Sequence, residues 1–505
     1  MKNSELRRSA DAFRALAASM LVGLLAGCAA GPDFKRPAAP DVASYTATPL
    51  PAQTVSAPTA LGNAQRLVHG APVDAQWWRS FGSPMLNSLI EQAFEASPTL
   101  AVAQATLRQA QEIYAAQAGS TLYPQVDANL GAQRQRLNPG IFGQAGEARV
   151  FSLYNASVGV HYKLDLAGGN RRALEALAAR AEYRRYELEG ARLTLAGNIA
   201  TTAITQARLV AQILATQAIF RGQEVQLHLT RERLRLGQAS QDDVLALQTQ
   251  VEQTRAGLPS LRKQLEQSQH LLAVLVGRPP GARKEPKFSL EEFTLPADLP
   301  LIVPSELVRH RPDIQAAEAL LHAANAEYGV AVAKLYPQLN LSASLGSQAL
   351  STGALFGSGS AVWNLIGQLT QPLFDPGLPA AKRATLAAFD AATANYQIVV
   401  LESLRNVADV LRALDNDAQT LAALSTADTT AHGSLKSMQR QYALGSASYV
   451  QLLTAQQQAQ QNRINLIAAQ AQRLVDSVTL YQAMGDGRSS ERDALSMTHS
   501  IQAPR

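Results

Sequence analysis

The side chains able to do chemistry are few and scattered. Eight histidines (His69, His161, His228, His270, His310, His322, His432 and His499) never stand three to five residues apart. No helix therefore carries a His pair of zinc-binding spacing. Cys28 is the single cysteine, which excludes an intramolecular disulfide and any Cys-rich metal or iron–sulfur site. Asp415-Asn416-Asp417 opens like a calcium loop but lacks its glycine and terminal glutamate; in the middle of a helical stretch it reads as a solvated face. Residues 353–360 are Gly/Ser-rich without a lysine to hold phosphate. No serine stands on a nucleophile elbow. The expectation is a protein that is not an enzyme and that carries no catalytic residues, cofactor or metal. Three candidates remain: Cys28, the acidic pair Asp242-Asp243, and polar residues that alternate along strands.

Cys28 has an address. Lys2, Arg7, Arg8 and Arg14 form a basic start, and residues 15–26 are apolar but too short for a spanning helix. The segment ends Leu25-Ala26-Gly27-Cys28, which resembles the bacterial lipobox. That resemblance implies that residues 1–27 are a lipoprotein signal peptide and that Cys28 is the lipidated first residue of the mature chain. Ala29, rather than Asp, follows it and favours the outer membrane. Residues 28–72 are the tether; from 37 to 72 they are rich in Pro, Ala, Ser and Thr and read as an extended tether or surface-hugging arm. The polar tail is 486–505. No later stretch offers 18 uncharged apolar residues, so any membrane crossing must use β-strands. The composition is globular, with 47% hydrophobic and 17% charged residues. The net charge of +5 follows no Lys/Arg run, which argues against a nucleic-acid partner.

The elements that position these residues come twice. Pro98-Thr99-Leu100 opens a helical stretch ending Leu122-Tyr123-Pro124-Gln125; Pro312-Asp313-Ile314 opens one ending Leu335-Tyr336-Pro337-Gln338. Tyr154-Asn155 answers Trp363-Asn364, Leu236-Gly237 answers Leu444-Gly445, and Val276-Gly277 answers Met484-Gly485. The offset stays near 208 to 214 residues, the mark of an internal duplication. The repeats are 73–277 and 305–485, with a linker at 278–304 holding six prolines.

Each copy reads as helix, strand, loop, strand, long helix, tight turn, helix. In the second strand Tyr154, Ala156, Val158, Val160, Tyr162 and Leu164 share one face, and Asn155, Ser157, Gly159, His161, Lys163 and Asp165 share the other. Period two gives one dry and one wet face. A soluble sandwich would show the same; strands of about ten residues with Tyr and Trp near their ends also fit a membrane barrel with a wet interior, whose lumen Asn155, His161 and Lys163 would line. The stretch 173–236 has no proline and would run about 95 Å as a helix. Its return, 244–276, is half as long, and 85–118 placed end to end supplies the rest. Val244, Leu247, Val251, Leu258, Leu261, Leu265, Leu272 and Leu275 form a heptad, with a kink expected at Gly257 and Pro259. Ile467, Ala471, Leu474, Val478 and Tyr481 keep it more loosely.

These residues resemble a family, the outer membrane factors or TolC-like ducts, in their lipoprotein (NodT-type) branch from tripartite RND-type efflux systems. The resemblance rests on Gly31-Pro32-Asp33-Phe34-Lys35-Arg36-Pro37, Trp77-Trp78 with Phe81-Gly82, Leu164-Asp165-Leu166, Leu373-Phe374-Asp375-Pro376-Gly377 and above all Pro304-Ser305-Glu306-Leu307 with Arg311-Pro312-Asp313-Ile314. It implies an α+β membrane protein: four strands per protomer of a shared 12-stranded trimeric outer-membrane β-barrel, plus a long coiled-coil α-helical tunnel in the periplasm. It further implies a homotrimer that passively exports drug-like or toxic small molecules, with a periplasmic adaptor, an inner-membrane RND-type transporter and outer-membrane lipid as partners. Four strands alone close no barrel, so the chain must oligomerise.

The duct would end at turns around Gly237 and Gly445. Glycine is expected there on helix-stop grounds, and Ser240-Gln241-Asp242-Asp243 and Ser448-Tyr449-Val450-Gln451 read as capping boxes. Family tunnels are constricted at this end by acidic rings, which implies a periplasmic gate at Asp242 and Asp243. Asp243, three residues after Ser240, suits the cap, leaving Asp242 for the lumen. The second turn has no Asp. The rivals are a TolC-like duct for type I protein secretion, against which the lipid Cys argues, and an adaptor lipoprotein, which lacks paired long strands.

Overall fold

The computed structural model describes residues 30–138, 143, 147–282 and 286–485. The leader, Cys28 and the tail 486–505 lie outside the described residues. The first repeat contains α1 (Pro84–Ala96), α2 (Pro98–Leu122), β2 (Gln125–Leu137), β3 (Arg149–Leu164), α3 (Gly169–Arg235) and α4 (Gln241–Leu275). The second answers with α5 (Pro304–His310), α6 (Pro312–Ala333), β5 (Gln338–Ala349), β6 (Ala361–Thr370), α7 (Gly377–Ala443) and α8 (Tyr449–Met484). The two long helices have the same length, 67 residues, about 100 Å each.

β2, β3, β5 and β6 form one antiparallel sheet in that order. The duplication thus meets itself at the β3–β5 ladder, where His161 pairs with Ser342 and Val158 with Leu345. Two strands were absent from the sequence reading. β1 (Arg66–His69), inside the expected tether, runs parallel to β4 (Asp298–Leu301), inside the expected linker. Both segments are therefore built into the fold. Tyr45 donates to the Ile302 carbonyl at 2.6 Å, and Gln65 donates to Pro296 O and Ser477 Oγ, so the arm hugs the surface rather than hanging free.

Compact units do not follow the repeats. Among the described residues, one comprises 30–36, 106–184 and 317–396, the other 37–105, 185–316 and 397–485. The reason is packing: elements of the two repeats pair side by side, as strands in the first unit and as helices in the second. In the second unit Leu227 of α3, Val244, Leu247 and Val251 of α4, and Tyr449 and Leu452 of α8 bury together, with Leu435 and Met438 of α7 against them. Heptad residues Val244, Leu247, Val251, Leu258 and Leu272 are buried, and Leu261, Leu265 and Leu275 half-buried. Ile467, Ala471, Leu474, Val478 and Tyr481 are all buried.

Helix stacking end to end is visible in both copies. After α4, Gly277 turns left-handed at φ 75°, and a Cβ there would stand 2.3 Å from the Ala96 carbonyl at the α1–α2 break. Gly485 after α8 repeats this against His310 O at 2.5 Å. Arg311 strengthens the second joint, donating to Ala483 O at 3.0 Å and to both Asp313 oxygens. α4 continues through Gly257 and Pro259 as one helix. Pro259 removes one backbone donor, and the buried seam on both sides keeps the axis helical.

Candidate functional site

The four-stranded sheet has two chemically distinct faces. Gln125, Asp127 and Asn129 of β2 lie across from His161, Gly159 and Ser157 of β3, which in turn oppose Ser342, Ser344 and Gly346 of β5. Asn155 pairs with Gly131 and Gln348, and Lys163 with Asn340. His161 Nε2 stands 3.4 Å from Asp127 Oδ1. His161 and Lys163 are exposed, and Asn155 is half-buried over Gly131. The opposite face carries Val126, Leu130, Val158, Leu345, Trp363, Leu365 and Leu369, all large, apolar and at least half exposed. A soluble chain would cover such a stripe. β2 and β6 are the sheet's edges, without a neighbour among the described strands.

The chain just after Cys28 is fastened at the foot of this sheet. Ala30 N–H donates to Ala167 O at 2.8 Å. Arg172, in the first turn of α3, donates to Ala30 O, Glu175 and Asp33, and Asn325 donates to Pro32 O. Phe34 stacks on His322 at 4.4 Å, and His322 Nε2 lies 2.8 Å from Glu175. Hydrogen bonds and ion pairing from Arg172 and His322 hold the Glu175 carboxyl below its ordinary range, against its desolvation. The Gly31-Pro32-Asp33-Phe34 motif is thus a strap, and Arg172, Glu175 and His322 are its receptor.

The α3–α4 turn closes as its residues dictate. Gly237 adopts φ 74°, and Gln238 N–H reaches back to Arg233 O, a glycine stop. Ser240 Oγ accepts from Asp243 N–H while the Asp243 carboxylate accepts from Ser240 N–H, a complete capping box. Asp243 is half-buried and occupied as a cap; Asp242 is exposed and has no side-chain partner among the described residues. At the α7–α8 turn, Ser448 and neutral Gln451 make the same box. Arg233 lies 5.6 Å above the Tyr442 ring, which packs on Tyr449. Burial, then Tyr442 and Asp243, push the Tyr449 hydroxyl up. Negative charge therefore sits on one of the two turns only.

A family model for outer membrane efflux proteins matches residues 89–278 and 303–486. The chain belongs to that family. It is 29% identical over 488 residues to the probable efflux pump outer membrane protein TtgC of Pseudomonas putida, covering 95% of this chain and 97% of that one. It is 31% identical over 429 residues to the pyoverdine export outer membrane protein OpmQ of Pseudomonas aeruginosa, covering 83% and 89%. The solved outer-membrane channel OprN superposes with a TM-score of 0.81 at 25% identity, covering 91% of this chain and 99% of that structure. The protein is an outer-membrane efflux channel component: strands for the barrel, long helices for the tunnel.

Within this efflux protein, Asn155, His161 and Lys163 come together on one polar face, as their spacing predicts. Asp242 and Asp243 are adjacent, and only Asp243 is engaged in the cap. Cys28 lies outside the described residues. Among the described residues, no three His, Cys, Asp or Glu side chains gather as metal ligands, and no helix is long and apolar enough to cross a membrane. Sequence reasoning missed the strap's receptor. Its one signal was Arg172, six residues beyond the Leu164-Asp165-Leu166 strand exit. It also missed Asp417, expected on a solvated face, which instead interacts with Asp476.

Proposed function

We propose that three copies close a 12-stranded barrel, and that the protein is a passive exit duct for small organic compounds without catalysis or cofactor. The carrying observation is the open sheet. Its apolar face is built for hydrocarbon, yet β2 and β6 present free edges, and unpaired N–H and C=O groups in lipid cost several kcal/mol each. Only pairing β6 of one copy with β2 of the next removes both edges, and family resemblance sets the number at three. The relatives' names support efflux of small molecules. A periplasmic adaptor and an inner-membrane RND-type transporter would supply the energy and the selectivity.

Two site assignments go with this reading. Cys28 bears the lipid: it stands two residues before Ala30, at most about 7 Å of chain, so the docked strap would hold the acyl chains beside the exit of β3. Asp242 faces the tunnel axis near its end, where three copies favour cations, while Asp243 caps α4. Extraction in mild detergent tests the assembly. The expected particle has three times the protomer mass, falls to the protomer on boiling, and conducts ions in a planar bilayer. A monodisperse monomer that needs no detergent would overturn it.

A further inference from the structure

The apolar face of β2 changes character at its outer end. Val126, Ala128, Leu130 and Ala132 pair with Val160, Val158, Ala156 and Tyr154. The ladder then continues without a skipped residue: Arg134 pairs with Ser152 and Arg136 with Val150. Both arginines therefore share the face of Val126 and Leu130, not that of Asp127 and Asn129. They sit at the end next to the β2–β3 hairpin, away from the helices that enter β2 at Gln125 and leave β3 at Leu164. Both are exposed, and neither has a hydrogen-bond or ion-pair partner among the described residues.

Their height follows from the strand. Tyr162 and Tyr154 are eight positions apart on the apolar face of β3. At about 3.3 Å per residue and a tilt near 45°, they stand roughly 19 Å apart along the membrane normal. That is somewhat less than the apolar band of about 25 Å bounded by aromatic girdles. Arg134 lies one pair beyond Tyr154, at headgroup level, and Arg136 about 7 Å further along the strand. The counter-charge does not come from the sheet. Asp127 is the one acidic residue in the four strands, and it lies on the polar face. Glu147, at the hairpin, pairs with neither arginine. A guanidinium stays charged at every working pH and forks onto phosphate with two parallel hydrogen bonds.

We infer that Arg134 and Arg136 form a binding site for the phosphate of an outer-leaflet lipid headgroup, on the outside of the barrel at the seam between protomers. The seam follows from β2 being an edge strand of the sheet. Tyr154, which pairs with Ala132 one step before Arg134 on the same face, sets an aromatic beside the arginines, and that combination suits an amphiphile with an anionic head and apolar tails. This inference rests on the barrel reading above, because only a membrane turns that face toward lipid.

The test uses the detergent-extracted oligomer, titrated with lipopolysaccharide, dephosphorylated lipopolysaccharide and inorganic phosphate, with bound mass read by native mass spectrometry. Wild type should bind the phosphorylated lipid at least about tenfold more tightly than Arg134→Gln/Arg136→Gln does. Arg134→Lys/Arg136→Lys should lose only about two- to threefold, and Lys163→Gln, on the polar face, nothing. The dephosphorylated lipid should bind wild type and the Gln pair alike. Equal affinity of wild type and the Gln pair for the phosphorylated lipid would overturn the site. So would inorganic phosphate matching the lipid, which would mean a free-anion site. If the Gln pair fails to assemble, the Lys pair decides: no preference for phosphorylated over dephosphorylated lipid refutes the proposal. Oligomer mass in the same spectra keeps failure of the barrel reading distinct from failure of this site.

Discussion

Adding one methyl group at Gly277 should cost clearly more than adding it at Gly237, although both glycines end a helix with nearly the same backbone. Gly237 has φ 74° and Gly277 φ 75°, and each is followed by an N–H that reaches back to the helix, Gln238 to Arg233 O and Arg278 to Ala273 O. Alanine pays the left-handed penalty at both, about 1–2 kcal/mol. The surroundings differ. Around Gly237 a Cβ meets nothing within 4 Å; at Gly277 it would stand 2.3 Å from Ala96 O, 2.9 Å from Ala96 C and 3.3 Å from Pro98 Cδ. Two of these neighbours are main-chain atoms at the α1–α2 break, so relief means moving a helix joint by about 1 Å. Forced packing of that kind costs about 1–3 kcal/mol. Gly277→Ala should therefore cost about 2–5 kcal/mol in total, and Gly237→Ala about 1–2 kcal/mol. Hydrogen exchange on the intact oligomer is the suitable assay, because it reads local opening without requiring reversible unfolding. Protection at Ala101, whose N–H bonds Ser97 O across the break, should fall in the first variant and stay unchanged in the second. Equal costs for the two variants, or unchanged protection at Ala101 in Gly277→Ala, would refute the claim that the end-to-end joint is close-packed.

Four further outcomes are expected. Asp242→Ala/Asp243→Ala should raise single-channel conductance and weaken cation preference, whereas Asp243→Ala alone should mainly loosen the first turn of α4 by about 0.5–2 kcal/mol; unaltered conductance and selectivity in the double variant would leave only the capping role. Cys28→Ser should abolish incorporation of radioactive fatty acid, and label retained by the variant would sink the lipid assignment. In a Cys28-free background, single cysteines at Asn155, His161 and Lys163 should react with a water-soluble maleimide and those at Val158, Val160 and Tyr162 should not; Val158→Lys should cost about 2–4 kcal/mol near the midplane, and equal labelling of both faces would contradict the barrel. Burial first, then Asp417, push the Asp476 carboxyl up to about 7, against the Gln472 hydrogen bond and Arg473. The folded state then holds a proton that the unfolded chain releases near 4, so this contribution is complete below about pH 4 and is lost as pH rises through about 7. Asp476→Asn should flatten the fall in stability between pH 5 and 7 in thermal scans, and an unchanged slope would rule the group out.

The sequence by itself determined whatever is local or periodic. Alternation from Tyr154 to Leu164 set the two faces of β3, because in a strand every second side chain points the same way. The heptad from Val244 to Leu275 set the buried seam of α4, and Ser240 with Asp243 set its cap, since each depends on residues three or four positions apart. The near-constant offset of about 210 residues disclosed the duplication, and equal helices of 67 residues express it. Only the tertiary structure decided the rest. The pairing of Arg66 with Asp298 joins an arm to a linker. Gln65 meets Arg473, a fully buried arginine; Phe34 stacks on His322; Asp417 faces Asp476. None of these pairs has a period or a spacing, because each exists only where distant segments happen to lie side by side. Pro259 teaches the same point in reverse. It removes a backbone donor by its local rule, yet α4 runs through it as one helix between buried seam residues on both sides. A side chain's neighbours along the chain fix which way it points, but what it meets there is fixed by packing.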